Sequence, residues 1–276
     1  MDRVLLATSQ KNIPELLTQA ELYGLGLEIQ EFSDPYTLAN DWSRSLRWHQ
    51  ELLSGFSGDI GIHGAFFDLT SSSLDPDILA VTRRRYSQNL QIAAELDAKY
   101  VLFHLNYLGN CKIPNFRPGW HEREVAFWSS FVREAEEVGI PILLENSWEN
   151  EPSLIGDILS AVNSPYLKAC LDIAHVTLHS EYTVEQWISE LEPYLFCSHL
   201  NNHDGNLDMH WPLSRGMVDY ASVIAALRKS AGQPYLCLEM PSWSEMEPSL
   251  SFFELPERVI ADPPTANLDT RPQSLA

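Results

Sequence analysis

The sequence predicts a closed (β/α)8 TIM barrel, an α/β fold in one domain with an irregular eighth unit, and three observations point there. Eight short apolar runs recur along the chain, stretches with helical spacing of apolar residues separate them, and no G-x-G-x-x-G or G-x-x-x-x-G-K-[ST] phosphate loop follows any run. The last observation weighs against an open doubly wound sheet. The runs are Val4–Thr8, Leu25–Ile29, Ile60–His63, Tyr100–Leu105, Pro141–Glu145, Leu167–Asp172, Leu195–Leu200 and Pro234–Glu239. Helical spacing is clearest at Ile78–Leu96, Val125–Val138 and Tyr220–Leu227. After Glu239 the chain holds six of its 17 prolines, which break any long eighth helix. The barrel is expected to occupy residues 1–261, with 262–276 a flexible C-terminal tail.

Composition narrows the function. The 276 residues are 45% hydrophobic with a formal charge of −20, so bulk attraction for nucleic acid or an anionic lipid surface is excluded, and a polyanion needs a local site. The first residues lack the long apolar stretch of a signal peptide, and no run approaches a membrane span. The four cysteines lie far apart without C-x-x-C spacing, which suits free thiols in a reducing compartment, and a cytoplasmic location is expected.

The chemistry is positional. Strand run after strand run ends on or beside a metal-binding side chain: His63 in GIHG, His104 in VLFH, Glu145 in LLEN, Asp172 and His175 in LDIAH, His199 in CSHL and Glu239 in CLEM, with Asp208 and His210 in the loop after the seventh run. In a parallel barrel the C-terminal strand ends form one mouth, so these residues converge. Imidazole and carboxylate are ligands that divalent Zn, Mn, Fe or Co accept. Taken singly, each has a structural reading: His63 as a hydrogen-bonded core histidine, Glu145 and Glu239 in salt bridges, Asp172 as a helix cap. Taken together on one rim they describe a metal site, because clustered buried carboxylates need a cation or a proton to relieve them.

LLEN, LDIAH, HLNNHDGNLDMHWPLSRGMVDY and YLCLEM resemble the fifth to eighth strand motifs of the xylose-isomerase-like TIM barrels. That superfamily groups sugar-phosphate isomerases and epimerases with AP endonuclease family 2. The resemblance spans roughly His63 to Glu239 and carries two implications. The isomerase and epimerase branch implies one Mn, Co, Mg or Zn ion held by Glu145, Asp172, His199 and Glu239. Glu145 and Glu239 then exchange a proton next to a sugar or sugar-phosphate carbonyl through a metal-stabilised enediolate, and His175 orients a substrate oxygen. The AP endonuclease branch implies up to three Zn ions on His63, His104, Glu145, Asp172, His175, His199, Asp208, His210 and Glu239, and phosphodiester hydrolysis. A third class is a barrel that binds a ligand without turnover.

Loop composition favours the small-molecule reading. The strand-end loops FFDLTSSSLDPD, NYLGNCKIPNFRPGW, NSWENEPS and PSWSEMEPS are together acidic and rich in aromatics, unlike a duplex-gripping rim. Trp148 and Trp211, with Tyr107, Phe66 and Trp243, are candidates to stack on a sugar or to pack loops. Lys112, Arg117 and Arg215 are the nearby cations that could hold a phosphate, and His203 in NNHDG is a candidate substrate contact. Relatives commonly read L-G-x-G where this chain has Leu213, Ser214, Arg215 and Gly216, which puts the role of Arg215 in question.

Cys170, Cys197 and Cys237 each precede a proposed ligand by two residues, so they are expected one layer deeper inside the barrel, as packing. His49 is expected to be solvated on a helix, His121 to open a helix, and Arg83–Arg85 to form a solvated face with scope for an oligomer contact.

Overall fold

A computed structural model describes residues 1–109 and 111–256. Eight parallel strands close on themselves in sequence order: β1 Arg3–Thr8, β2 Gly26–Ile29, β3 Ile60–His63, β4 Tyr100–His104, β5 Ile142–Glu145, β6 Leu167–Asp172, β7 Leu195–Leu200 and β8 Tyr235–Leu238. The α-helices outside them are α1 Ile13–Tyr23, α2 Pro35–Ala39, α3 Trp42–Leu52, α4 Pro76–Glu95, α5 Phe116–Val138, α6 Ser153–Val162, α7 Ile173–His179, α8 Val184–Leu191, α9 Tyr220–Leu227 and α10 Trp243–Met246. The eighth unit is irregular, as the prolines indicate: four-residue α10 runs into a 3-10 segment, Glu247–Phe252, with Pro248 at its start. The boundary expected at residue 261 and the tail beyond it lie outside the described residues.

Two cores result from strands buried on both faces. The larger lies between barrel and helices, built on side chains such as Leu6, Leu27, Tyr86, Phe103, Trp128 and Trp187. The smaller fills the barrel with Leu5, Ala7, Tyr100, Leu102, Leu143, Cys170, Cys197, Tyr235 and Cys237. All three expected thiols therefore sit inside, where they pack as small apolar groups. Register places His104 beside Glu145 and Asp172 beside His199, so the acids and imidazoles of neighbouring strands meet at one level.

One inner position depends on a missing side chain. Gly61 pairs with Tyr100 across β3 and β4, and a Cβ on Gly61 would lie 2.4 Å from the Tyr100 ring. The glycine opens the space that lets this ring lie fully buried in the barrel.

Several expectations change at the periphery. His49 is buried: Leu46 and His49 share the inner face of α3, its Nδ1 donates to the Ser45 carbonyl at 2.9 Å, and its ring packs on Phe32. His121 lies inside α5, which starts nine residues before Val125 at Phe116. Arg84 is exposed, but Arg83 binds Glu134 at 2.9 Å and Arg85 binds the Leu38 carbonyl at 2.6 Å, so the basic run ties helices together.

Glu124 of α5 is buried, accepting from Ser71 Oγ at 2.6 Å and Trp128 Nε1 at 2.8 Å, and burial pushes its pKa up to about 7 against those bonds. A raised carboxyl pKa means that the folded chain holds the proton more tightly. Stability from this group is thus complete below about pH 4.5 and is lost as pH rises through about 7, by ~3 kcal/mol. Glu124→Gln is expected to remove that loss, so urea unfolding at pH 5 and pH 8 differs by roughly 2–3 kcal/mol less in the variant than in the native chain.

Candidate metal centre

The C-terminal ends of the strands build the centre. Glu145 ends β5, and the next residue, Asn146, fixes it against β6: Asn146 Nδ2 donates to the Asp172 carbonyl at 2.9 Å while the Asp172 amide donates to Asn146 Oδ1 at 2.8 Å. The asparagine side chain thus extends the ladder one residue beyond the strand. Asp172 has two tasks. Its Oδ1 accepts the His175 amide at 2.7 Å and caps α7, while its Oδ2 is buried without a hydrogen bond. Glu149, buried in the loop after β5, accepts the amides of Tyr107 and Ser147 at 2.9 and 2.6 Å and so joins the loops after β4 and β5.

His199 Nδ1 stands 2.8 Å from Glu145 Oε1 and 3.4 Å from Glu239 Oε2. Glu145 Oε2 is 3.0 Å from His104 Nε2 and 3.7 Å from His63 Nε2. His175 Nε2 and His210 Nε2 each approach Asp208 Oδ2 at 3.2 Å. Among the described residues five groups offer ligand atoms within 4.8 Å of one another. Two reach down to the barrel thiols, Cys170 with Cys197 and His199, and Glu28 with His199 and Cys237. Three overlap at the mouth: His63, His104 and Glu145; Glu145, Asp172 and His175; Asp172, His199 and Glu239. The nine residues singled out at strand ends and in the loop after β7 are therefore gathered at one mouth.

Their atoms fit a cation. Glu145 Oε2, Asp172 Oδ2, His104 Nε2 and His199 Nδ1 are buried and lack hydrogen bonds. Unpaired donors of this type crowded together are what a divalent ion satisfies. The electrostatics agree. Burial opposes charge on His199, yet the negative groups around it, Glu145, Glu28 and Glu239 among them, hold its pKa well above the ordinary imidazole value. His210 is also opposed by burial but is raised to about 10 by Asp208 and Glu239. Burial pushes Asp172 up to about 6, with Glu145 and Glu239 adding to the effect and His175 opposing it. Carboxylates concentrated this closely recruit positive charge from whatever is at hand.

Seven of the nine line a cavity of about 350 Å3, with Asp172 and His199 fully buried behind its wall. Gln30, Ser33, Phe66, Phe67, Ser147 and Trp148 complete its wall, with Phe66 stacked on His104 at 4.3 Å and Trp148 52% exposed. Among the described residues no lysine or arginine lines it. Arg117 is bound to Glu151 and Ser153, and Arg215 lies over the Trp211 ring at 3.9 Å. His203 is buried, its Nε2 against Thr177 Oγ1 at 2.7 Å and its Nδ1 accepting the Gly205 amide at 2.9 Å. Of the expected substrate contacts Trp148 and Phe66 therefore reach the cavity; His203, Arg215 and Trp211 do not line it. Their loop is organised by Asn202, which binds the Leu213 and Val218 carbonyls and accepts the His203 and Val218 amides. Gly216 is obligatory there, with φ of 139° and space for a Cβ blocked by Asn202 Oδ1 at 2.3 Å.

Two residues of β2 and its end escape a reading confined to histidines and strand-end acids. Gln30 Nε2 donates to Glu239 Oε1 at 2.6 Å, and Glu28, wholly buried, reaches His199. The signal was a lone acid inside the apolar run LGLEI.

Comparison with known proteins agrees with the fold. The model of a family described as xylose isomerase-like TIM barrel matches residues 25–255. The structure of the TTHB071 protein from Thermus thermophilus, obtained by soaking with ZnCl2, is 31% identical with a TM-score of 0.73, covering 91% of this chain and 96% of that one. A D-tagatose 3-epimerase-like protein is 18% identical with a TM-score of 0.76, covering 90% and 94%. An uncharacterised protein of Methanocaldococcus jannaschii, MJ1311, is 23% identical over 196 residues. The match takes in 67% of this chain and 66% of that relative, just under two thirds of its length.

Proposed function

The chain belongs to the xylose isomerase-like TIM barrel family, and from that premise we infer that it is a divalent-metal-dependent isomerase or epimerase of a sugar or closely related hydroxy-carbonyl compound. The observation that carries this reading is a pair of carboxylates, Glu145 and Glu239, flanking His199 Nδ1 in a cavity of monosaccharide size whose described wall holds no lysine or arginine. A bound ion supplies Lewis-acid polarisation of a carbonyl and its neighbouring hydroxyl. Glu145, Asp172, His199 and Glu239 are the residues that would hold it.

The residues divide the remaining work. Glu145 and Glu239, from β5 and the end of β8, take and return the proton next to the carbonyl. Gln30 steadies Glu239 through its 2.6 Å bond and leaves the other carboxylate oxygen turned toward His199. His175, fixed by the Asn146 carbonyl at 2.8 Å, orients a substrate oxygen beside Asp208. Phe66, Phe67 and Trp148 cover the ring and limit water.

A second reading, zinc-dependent phosphodiester hydrolysis, is favoured by one observation: the three ligand groups are fused through Glu145 and Asp172. Against it stand the acidic rim and the net charge of −20. Two measurements separate the readings. Purified chain is expected to carry tightly bound divalent metal by elemental analysis and to exchange carbon-bound hydrogen of ketopentoses or ketohexoses with D2O. It is expected to leave abasic-site DNA intact. Nicking without exchange would replace the first reading by the second.

A further inference from the structure

The five histidines of the centre each have one ring nitrogen tied down by oxygen, but not the same nitrogen. His63, His175 and His210 donate Nδ1–H to the carbonyls of Gly64, Asn146 and Glu239 at 2.9, 2.8 and 2.6 Å, and His104 Nδ1 meets Ser147 Oγ at 2.6 Å. All four turn Nε2 toward the cavity side. His199 is reversed: Nε2 faces Glu28 Oε2 at 3.0 Å, and Nδ1 faces Glu145 and Glu239. Among these five anchors, Glu28 is the carboxylate.

Glu28 is itself held. Tyr100 donates its phenol hydrogen to the same Oε2 at 2.7 Å, and Tyr100 occupies the space left by Gly61. The relay Gly61, Tyr100, Glu28, His199 runs from the floor of the barrel to the rim through three strands besides that of His199. A buried acid with an unpartnered second oxygen is costly unless its charge is used.

We propose that Glu28 is the positioning residue of the centre: it fixes His199 as the Nε2–H tautomer, so that Nδ1 is the ligand atom, and lends the imidazole its negative charge. The physical reason is general. An anionic partner on the far nitrogen sets ring orientation and raises the basicity of the nitrogen that binds. Histidine Nδ1 is crowded by its own backbone, so its use as ligand atom requires the ring to be held, which Tyr100 and Glu28 do from below. The role rests on the metal-dependent reading above and asks nothing of the substrate.

The test is Zn(II) affinity of the full chain by chelator competition, with the visible absorption spectrum of the Co(II)-loaded chain beside it. Glu28→Gln keeps the size and one acceptor but not the charge. It is expected to bind Zn(II) about 10- to 100-fold more weakly and to shift the Co(II) bands, with the melting temperature of the metal-free chain little changed. Affinity within threefold of the native value and an identical spectrum would overturn the assignment. A purely structural role would move the melting temperature and leave the spectrum alone, which also overturns it. Should Glu28→Gln fail to fold, Tyr100→Phe carries the test, since it keeps the ring and removes only the bond to Glu28; a smaller loss in the same direction supports the relay, and native affinity with a native spectrum refutes it. A native chain that binds no Zn(II) or Co(II) would instead defeat the metal-dependent reading itself.

Discussion

Glu145→Gln is expected to lower turnover by about 10^3-fold or more while the chain stays folded. The size of the effect follows from how many contacts one carboxylate serves. Its Oε1 faces His199 and its Oε2 faces His104 and His63, and it belongs to two of the three ligand groups at the mouth. Glutamine offers one neutral oxygen in place of two charged ones. Its amide donates toward the nitrogen electron pair of His104 or His199, where a cation would otherwise accept that pair. As a proton carrier it is inert at neutral pH, so both proposed tasks are lost together. The fold is expected to persist because glutamine keeps the size of the side chain; what is lost is the charge, which His199 and His104 favour so strongly that they outweigh burial and hold the Glu145 pKa well below the usual carboxylate range. Circular dichroism and melting establish the second half of the expectation, and solvent-hydrogen exchange into a ketose the first. Turnover within tenfold of the native chain would remove Glu145 from the proposed proton transfer.

Gly61→Ala is expected to destabilise the chain by about 3 kcal/mol, a fall of roughly 6–12 °C in melting temperature. The added methyl would sit 2.4 Å from Tyr100 Cζ and 2.5 Å from its hydroxyl, inside any real contact. Tyr100 cannot yield easily, since its ring is fully buried between Phe196 and Tyr235, 6.1 and 6.0 Å away by centroid. The strain can be assigned by a double substitution. Adding Tyr100→Leu removes the ring tip, and the alanine should then cost much less than it does alone. Additive losses in the pair would mean that the clash lies elsewhere.

Much of this architecture can be read from residue order, for identifiable reasons. Parallel strands buried on both faces leave near-continuous apolar runs, so all eight were visible, with ends shifted by one residue or so. Candidate ligands at strand ends were visible because a charged or imidazole group closing such a run is conspicuous. The start of α5 was hidden by Pro118 and Gly119, which look like breakers; Pro118 instead lies in the first turn, where no intrahelical N–H bond is lost. Glu28 was passed over because it stands inside a strand run, one place before its end. The loop residues His203, Trp211 and Arg215 were misplaced for a different reason. Sequence brings them near the mouth, but which way each side chain turns is decided by Asn202 and Gly216, through bonds between residues up to 16 positions apart.

Asp172 shows how the barrel separates its stiff candidate ligands from its pliant ones. One oxygen of this carboxylate is committed to the first turn of α7 and its backbone is clamped by Asn146, so shifting it by an ångström means fraying a helix and a sheet edge together. Asp208 and His210, by contrast, ride on a connecting loop with a third of each side chain in solvent. On the proposed metal-dependent reading, discrimination by ionic radius would therefore belong to the walls made by β5, β6 and β7, and accommodation of a guest of varying shape to the arm that follows β7.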